Sequence, residues 1–382
     1  VQVATTSTVV PGRATTPRVP SPGASPQAFE PTLLLNAAVA VPALVDAIRG
    51  ARHVVNISLY GWVDSGSGSQ LARAVEQKAR EGVEVNVMLD ARGSFVAPGL
   101  PGNRLVARLR AAGANVIVND SLVPWLDGPV DHGKSYSIDG RIGFVGGMNL
   151  SRTYDGWQDA MATVDRAGAI EVGRDFLARW VERGGRVSEA NERLVLRADP
   201  EPIRAGVRVL ANRPGATNAL TDAYLAAIAT ARTRVWIETP FLGSQAMVDA
   251  LVGAARRGVD VRLLTNGPRT KGAVPGINLL GAGYYQQLAR AGVRVYQQGS
   301  MTHSKVMLAD DAATVGSFNL TLRSQERHHE IGMQSSARGF VGQVAAMFDA
   351  DMGAARLVTE QDLARPGQRV LTSLREWLRL QY

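Results

Sequence analysis

The sequence predicts an α/β protein of two similar lobes, each a mixed, mostly parallel sheet flanked by helices. A site is expected where the lobes meet across a pseudo-two-fold axis. Three observations predict this. The chain repeats itself, with Ala51-Arg52-His53-Val54-Val55-Asn56-Ile57 matching Ala231-Arg232-Thr233-Arg234-Val235-Trp236-Ile237. Each repeat alternates strand and helix patterns, the signature of a helix-covered sheet. Each repeat ends in the same short run of polar residues.

The order of elements follows from those repeats. Both matching heptads read as buried strands. Each precedes a helix pattern, LARAVEQKAREG at 71–82 and MVDALVGAARRG at 247–258. Apolar residues fall there at helical spacing, Leu71/Ala74/Val75 and Val248/Leu251/Val252, and Gly82 and Gly258 stand where a helix C′ glycine belongs. A strand follows each directly, VEVNVMLD and VDVRLLTN. A second helix then closes on Gly113 or Gly292, and a short strand follows, NVIVN or VRVYQ. The lobes are expected at 30–200 and 201–382, joined near 195–215 by the loop-like ADPEP and NRPGAT. Residues 1–29 are rich in Thr, Ser, Pro and Ala, lack a hydrophobic period, and read as a disordered tail. The chain starts at Val1, which fits removal of an export signal or trimming. A periplasmic or secreted location, peripheral at a membrane, is expected, with a cytoplasmic membrane-associated one as the alternative.

Composition excludes several chemistries. Cysteine is absent from the 382 residues, which removes disulfides, thiolate metal sites and thiol catalysis. No run of about 18 apolar residues appears, so no membrane-spanning helix is expected. The net charge of +8 favours an anionic partner, nucleic acid or an acidic membrane surface. Lysine occurs only at Lys78, Lys134, Lys271 and Lys305, which draws attention to each.

Two of those lysines belong to the polar motifs. The first reads His132-Gly133-Lys134, then Asp139, then Gly146-Gly147-Met148-Asn149. The second reads His303-Ser304-Lys305, then Asp310, then Gly316-Ser317-Phe318-Asn319. On a strand, positions i and i+2 share a side, so HxK aims an imidazole and an ammonium at one place. Asp139 and Asp310, five residues after the Lys, should face away and brace a turn. His53 reads as structural, and Trp180 and Trp377 as core. His328 and His329 flank Glu330 and stand as candidates to line the site or to serve a polar loop.

With these motifs and the segments SLYGWVDSGSGSQLARAVEQKAREGVEVNVMLD, GGMNLSRTYDGWQDA and THSKVMLADDAATVGSFNLTLRSQERHHEIGM, the chain resembles the phospholipase D superfamily, and within it the bacterial cardiolipin synthase-like members. The likeness runs from about 50 to 360. The second motif departs from the pattern by having five rather than six residues between Asp310 and Gly316, and Gly147 stands where Ser is more frequent.

Cleaving a phosphodiester needs cations on the non-bridging oxygens, an in-line nucleophile and an acid for the leaving oxygen. Two facing HxK units supply these without a metal or another cofactor. Lys134 and Lys305 would hold the phosphoryl oxygens. One His attacks and the other protonates the leaving alcohol, then activates water or an acceptor alcohol. The resemblance implies His132 as nucleophile and His303 as acid/base. Asn149, Asn319 and Ser317 are expected to hold phosphate or nearby backbone. Asp159 and Glu330 each lie 27 residues after the motif His and should accept a hydrogen bond from the ring of the His in their own lobe. The loops 94–102, 122–129 and 273–285 are apolar, which suits a lipid interface better than a nucleic-acid channel. The expected substrate is therefore a phospholipid at an anionic membrane surface. A nuclease of the same superfamily and a non-catalytic membrane-binding module are the rivals, and oligomeric state is not legible.

Overall fold

The computed structural model describes residues 29–96, 100–119, 130–199, 206–271 and 281–363. Two sheets form its centre, built on one plan. In the first, the spatial order is Leu33–Leu35, Ala160–Val164, Ile142–Gly146, Lys134–Ile138, Val54–Leu59, Glu84–Asp90, Asn115–Asn119. In the second, His328–Ser335, Ala312–Gly316, Val306–Ala309, Arg234–Glu238, Asp260–Lys271 and Arg294–Ser300 follow in the same sense. The repeats seen in sequence thus occupy equivalent places in two sheets.

The sheets are mixed, but the parallel share is smaller than expected. Along the strand order given for each sheet, the parallel pairs are those among its three repeat strands. The motif strands add an antiparallel hairpin, and the strand after it is antiparallel as well. A tight turn joins the motif strands where a crossover helix would be needed for parallel pairing, which is why the alternating helix pattern stops there.

The helix periods and their stops hold. Ser67–Arg80 and Gln245–Arg256 bury the predicted apolar faces, and Gly82 and Gly258 follow their last turns with φ of 85° and 87°. Ser244 caps the second of these by accepting from Met247 N. The helices Asn36–Arg49, Arg166–Glu182 and Arg338–Ala354 were not foreseen, and the first carries Pro42 in its interior. Each half has its own core. A third cluster joins them, packing Val145, Ala160 and Ala162 with Val306, Leu308, Val315, Phe340 and Phe348. Among the described residues, no helix is long and apolar enough to cross a membrane. The tail 1–28, the loop 122–129, most of the loop 273–285, part of the junction and Trp377 lie outside the described residues.

Candidate active site

Asp139 and Asp310 set the hairpins that carry the motif lysines. Asp139 takes φ of 52° and accepts from the backbone N–H of Arg52, His53 and Val54, each at 2.9 Å. Asp310, at φ 46°, does the same for Arg232, Thr233 and Arg234. Each therefore ties its hairpin to the first residues of the neighbouring repeat strand, as the brace reading expected. His53, an exposed residue, contributes its backbone N–H to that cap. The odd motif spacing is a hairpin difference. Ile138 pairs with Ile142 across three turn residues, whereas Ala309 pairs with Ala312 across two.

His132 and His303 lie just before their strands, Lys134–Ile138 and Val306–Ala309, and each is held by the opposite half. Val130–Asp131 pairs parallel with His328–His329, and His132 N–H donates to His329 O at 3.0 Å. In the equivalent place His303 N–H donates to Gln158 O at 2.6 Å and Gln158 N–H to Met301 O at 3.0 Å. This exchange overturns the own-lobe expectation. His132 Nδ1 lies 3.0 Å from both carboxylate oxygens of Glu330, and His303 Nδ1 lies 2.7 Å from Asp159 Oδ2. Each carboxylate sits one residue beyond the segment that bonds the other half's histidine, so backbone pairing and side-chain pairing cross together. Sequence distance from His to carboxylate is conserved between the halves because the halves are alike, not because those two residues meet.

The lysines are placed alike. Lys134 Nζ donates to His132 O at 2.6 Å and Lys305 Nζ to His303 O at 2.5 Å, leaving two N–H donors on each ammonium. Both lysines are fully buried. Burial drives the Lys134 ammonium down to about 8, with Glu330 and Asp159 opposing the shift. Burial also lowers Lys305, and Lys134 adds repulsion that Asp159 partly offsets. The histidines respond in the same direction. Burial pushes His132 down to about 3 against the pull of Glu330, and Lys134 reinforces it. Burial and then Lys305 push His303 down to about 4. Both imidazoles are therefore neutral at pH 7. Each donates Nδ1–H to its carboxylate, which leaves Nε2 as the basic atom. Burial opposes ionisation of Glu330, but His132 and His328 facing it more than compensate and hold it well below the usual range.

The supporting residues differ between halves. Ser317 Oγ donates to Glu330 Oε2 and accepts from Ile331 N–H at 3.0 Å, so it braces the carboxylate rather than facing solvent. Its counterpart is Gly147, where a Cβ would stand 2.5 Å from Asp159 Oδ1 and 3.1 Å from His303 O. Only glycine fits there. Asn149 and Asn319 are buried, and the Oδ1 of each lacks a hydrogen-bond partner. Sequence reading missed the rings over the histidines. Tyr60 lies with its ring 4.8 Å from His132 and under Lys134 Nζ at 4.9 Å, and Trp157 lies 5.3 Å from His303. Their signal was position alone: Tyr60 directly follows a repeat strand, and Trp157 precedes Asp159 by two. His328 takes the place equivalent to Trp157, its ring 5.7 Å from His132. His329 turns away to Asp131 at 3.1 Å and Asp175 at 3.0 Å, both also bonded by Arg179. Trp180 is core, stacked on Phe176 at 5.4 Å, and Lys271 is exposed at a strand end. Among the described residues one group has metal-ligand proximity: His132, His328 and Glu330.

Comparison with known proteins fits this geometry. The family described as "Cardiolipin synthase, PLD-like domain" matches twice, over residues 44–179 and 224–352. Cardiolipin synthase A of Pseudomonas aeruginosa (strain LESB58) is 31% identical over 349 residues, covering 86% of this chain and 68% of that relative. Cardiolipin synthase 2 of Bacillus anthracis is 30% identical over 317 residues, covering 79% of this chain and 60% of its own length. The crystal structure of phosphatidylserine synthase from Haemophilus influenzae Rd KW20 shares the fold with a TM-score of 0.71 at 13% identity, over 92% of this chain and 96% of that one. Polyphosphate kinase from Porphyromonas gingivalis shares it less fully, with a TM-score of 0.59 at 14% identity over 92% of this chain and 54% of that one. One scaffold thus serves different substrates, and substrate must be argued from the site. With the family matched in both halves and two HxK units facing each other across their junction, the chain belongs to the cardiolipin synthase PLD-like domain family and is a phospholipase D-superfamily enzyme.

Proposed function

We propose that this enzyme transfers a phosphatidyl group between alcohols, or to water, through a phosphohistidine intermediate, in the manner of a cardiolipin synthase. The observation that carries this reading is the paired seating of His132 and His303. Each imidazole is neutral, is held through Nδ1 by a carboxylate, and has a buried lysine two residues on. His132 Nε2 attacks phosphorus, and the P–O bond to the leaving alcohol breaks as that oxygen takes a proton from His303 Nε2. His303 then accepts the proton of the incoming alcohol or water, whose oxygen displaces His132. Lys134 and Lys305 balance charge on the non-bridging oxygens. His303 starts neutral, so its proton must be acquired as the phosphodiester anion enters, since a nearby negative charge raises an imidazole pKa. Asn149 and Asn319, whose buried Oδ1 atoms have no partner, are the proposed acceptors for a substrate hydroxyl or backbone.

The substrate proposed is a glycerophospholipid, as the names of the relatives suggest. Exposed Phe95 and Leu100, 48% and 42% accessible, support contact with a lipid surface. Phe95 directly follows Ser94, whose Oγ donates to Tyr60 O at 2.9 Å beside the site. The test is incubation with phosphatidylglycerol, phosphatidylcholine and single-stranded DNA in parallel, products being read by mass spectrometry. Cardiolipin and glycerol from phosphatidylglycerol are expected; cleavage of DNA alone would overturn the lipid reading. His132→Asn should also abolish the covalent adduct recovered after alkaline denaturation, in which a P–N bond survives.

A further inference from the structure

We infer that His132, His328 and Glu330 form an inhibitory site for a divalent transition metal ion of the zinc class. The inference rests on the proposed role of His132 for its consequence, but not for its geometry. One ligand atom of each residue lies within 4.8 Å of the other two. Glu330 is the hub, 3.0 Å from His132 Nδ1 and 3.8 Å from His328 Nδ1. Two imidazole nitrogens and a carboxylate oxygen form a donor set that suits zinc, whose ligands sit at about 2.0–2.2 Å and leave a position for water. Separations of 3.0 and 3.8 Å between donors are close to those of ligands spread around such an ion.

A second observation points the same way. His328 Nδ1 is buried and has no hydrogen-bond partner, although its ring faces an ionised carboxylate. A buried polar atom without a partner costs free energy, and an ion between the three groups would satisfy it. The equivalent place in the other half holds Trp157, which cannot ligate. The site is therefore present at one of the two histidine seats, among the described residues. The half carrying it orients His132, so occupation has a direct chemical consequence. A metal ion on Nδ1 takes the atom that normally carries the ring proton to Glu330. The neutral ring then keeps its one proton on Nε2, the nitrogen that must attack phosphorus, and no lone pair remains for the reaction. Lys134, whose ammonium bonds His132 O, opposes the ion by charge, which makes the site inhibitory and reversible rather than a resident cofactor site.

The experiment uses the whole chain and a soluble chromogenic phosphodiester, so that metal acting on a lipid surface is excluded. ZnCl2 is titrated against the unchanged chain, His328→Asn and His328→Phe; the Phe variant restores an aromatic ring where the other half has one. Inhibition of the unchanged chain, reversed by EDTA, is expected, with at least a tenfold higher inhibiting concentration for both variants, each read relative to its own metal-free turnover. Co2+ binding is followed by its visible ligand-field absorption, a readout independent of turnover. A band present in the unchanged chain and lost in both variants supports the site even if the diester proves a poor substrate. Equal zinc sensitivity of all three proteins, or a Co2+ titration that does not depend on His328, would overturn it.

Discussion

Replacing Glu330 by Gln should silence the histidine of the opposite half, and the structure allows the size of the effect to be worked out. Glu330 is fully buried and receives His132 Nδ1–H at 3.0 Å, with Ser317 Oγ bracing its other side. A buried hydrogen bond to a charged group is worth about 1.5–3 kcal/mol. A carboxamide offers Nδ1 a donor as readily as an acceptor, so the ring can adopt the tautomer that carries its proton on Nε2. Lost orientation and the wrong tautomer together cost roughly 10³–10⁴ in turnover, about 4–5.5 kcal/mol of activation free energy. Ser317 can donate to the amide oxygen, so folding should change little. The informative assay uses a p-nitrophenyl phosphodiester, whose leaving group needs no protonation. Glu330→Gln should abolish the burst of p-nitrophenol and the phosphohistidine on His132. Asp159→Asn should keep the burst and slow its decay, because it disables the group that activates the acceptor. The reverse pattern, burst lost with Asp159→Asn and kept with Glu330→Gln, would refute either the exchange of carboxylates or the assignment of His132 as nucleophile.

Further outcomes follow from other parts of the site. Lys134 lies at about 8, so kcat/KM should fall as pH rises past that value and the ammonium is lost; kcat should fall at higher pH, since a bound phosphodiester stabilises the cation. Gly147→Ala should lower turnover at least about 100-fold with a small change in Tm, because its Cβ would stand 2.5 Å from the Asp159 oxygen that Ala160 N–H holds at 2.8 Å. Asp139→Ala should cost about 2–3 kcal/mol in denaturant titrations, since three backbone donors lose a charged acceptor and only Val54 of the three is buried; Asn should recover part of it. Phe95→Asp should weaken binding to anionic vesicles and spare hydrolysis of the soluble diester; Asp accepts the φ of 53° at that position more readily than Phe, so the fold is not strained.

Much of the fold was legible because it depends on local period. The repeat strands and the helices between them carry apolar residues at spacings that survive without tertiary knowledge, and the closing glycines mark their ends. Pro42 hid the helix Asn36–Arg49, since proline inside a helix usually breaks it. The hairpins were hidden differently. The extended residues Lys134–Ile138 and Ile142–Gly146 are buried nearly throughout, so they show no alternation to distinguish antiparallel from parallel pairing. Within the site, residue types were readable because HxK is chemically unusual, and partners were not. His132 and Glu330 are 198 residues apart, and nothing local to either records that the segment before each histidine pairs with the other half. The unforeseen partners, Tyr60, Trp157 and the Asp131–Arg179–Asp175–His329 network, are likewise assembled from separate elements.

The duplicated scaffold gives two histidines the same backbone seat and unequal surroundings, which bears on how roles divide between them. Behind His132 stands Asp131, bonded by Arg179 Nη1 at 2.6 Å and by His329. Behind His303 the same place is Thr302, whose hydroxyl donates to Glu238, a residue that pairs across from the motif strand as Ser58 does in the first half. Burial and then Asp351 raise Glu238 well above the usual carboxyl range, which favours its neutral form. One seat is thus ion-paired and tied down by Arg179, while the other is lined by a threonine hydroxyl bonded to a carboxyl that burial disfavours ionising. The carboxylates differ likewise, Glu330 being pinned by the Ser317 side chain and Asp159 by the backbone N–H of Ala160, with Gly147 in the place of Ser317. A nucleophile must keep one orientation through formation and breakdown of a covalent intermediate, whereas an acid/base must change protonation state twice per turnover. The ion-paired seat suits the first task and the seat without an ion pair suits the second. Removing the brace with Ser317→Ala should therefore slow adduct formation on His132 more than its breakdown, and an equal effect on both steps would count against this division.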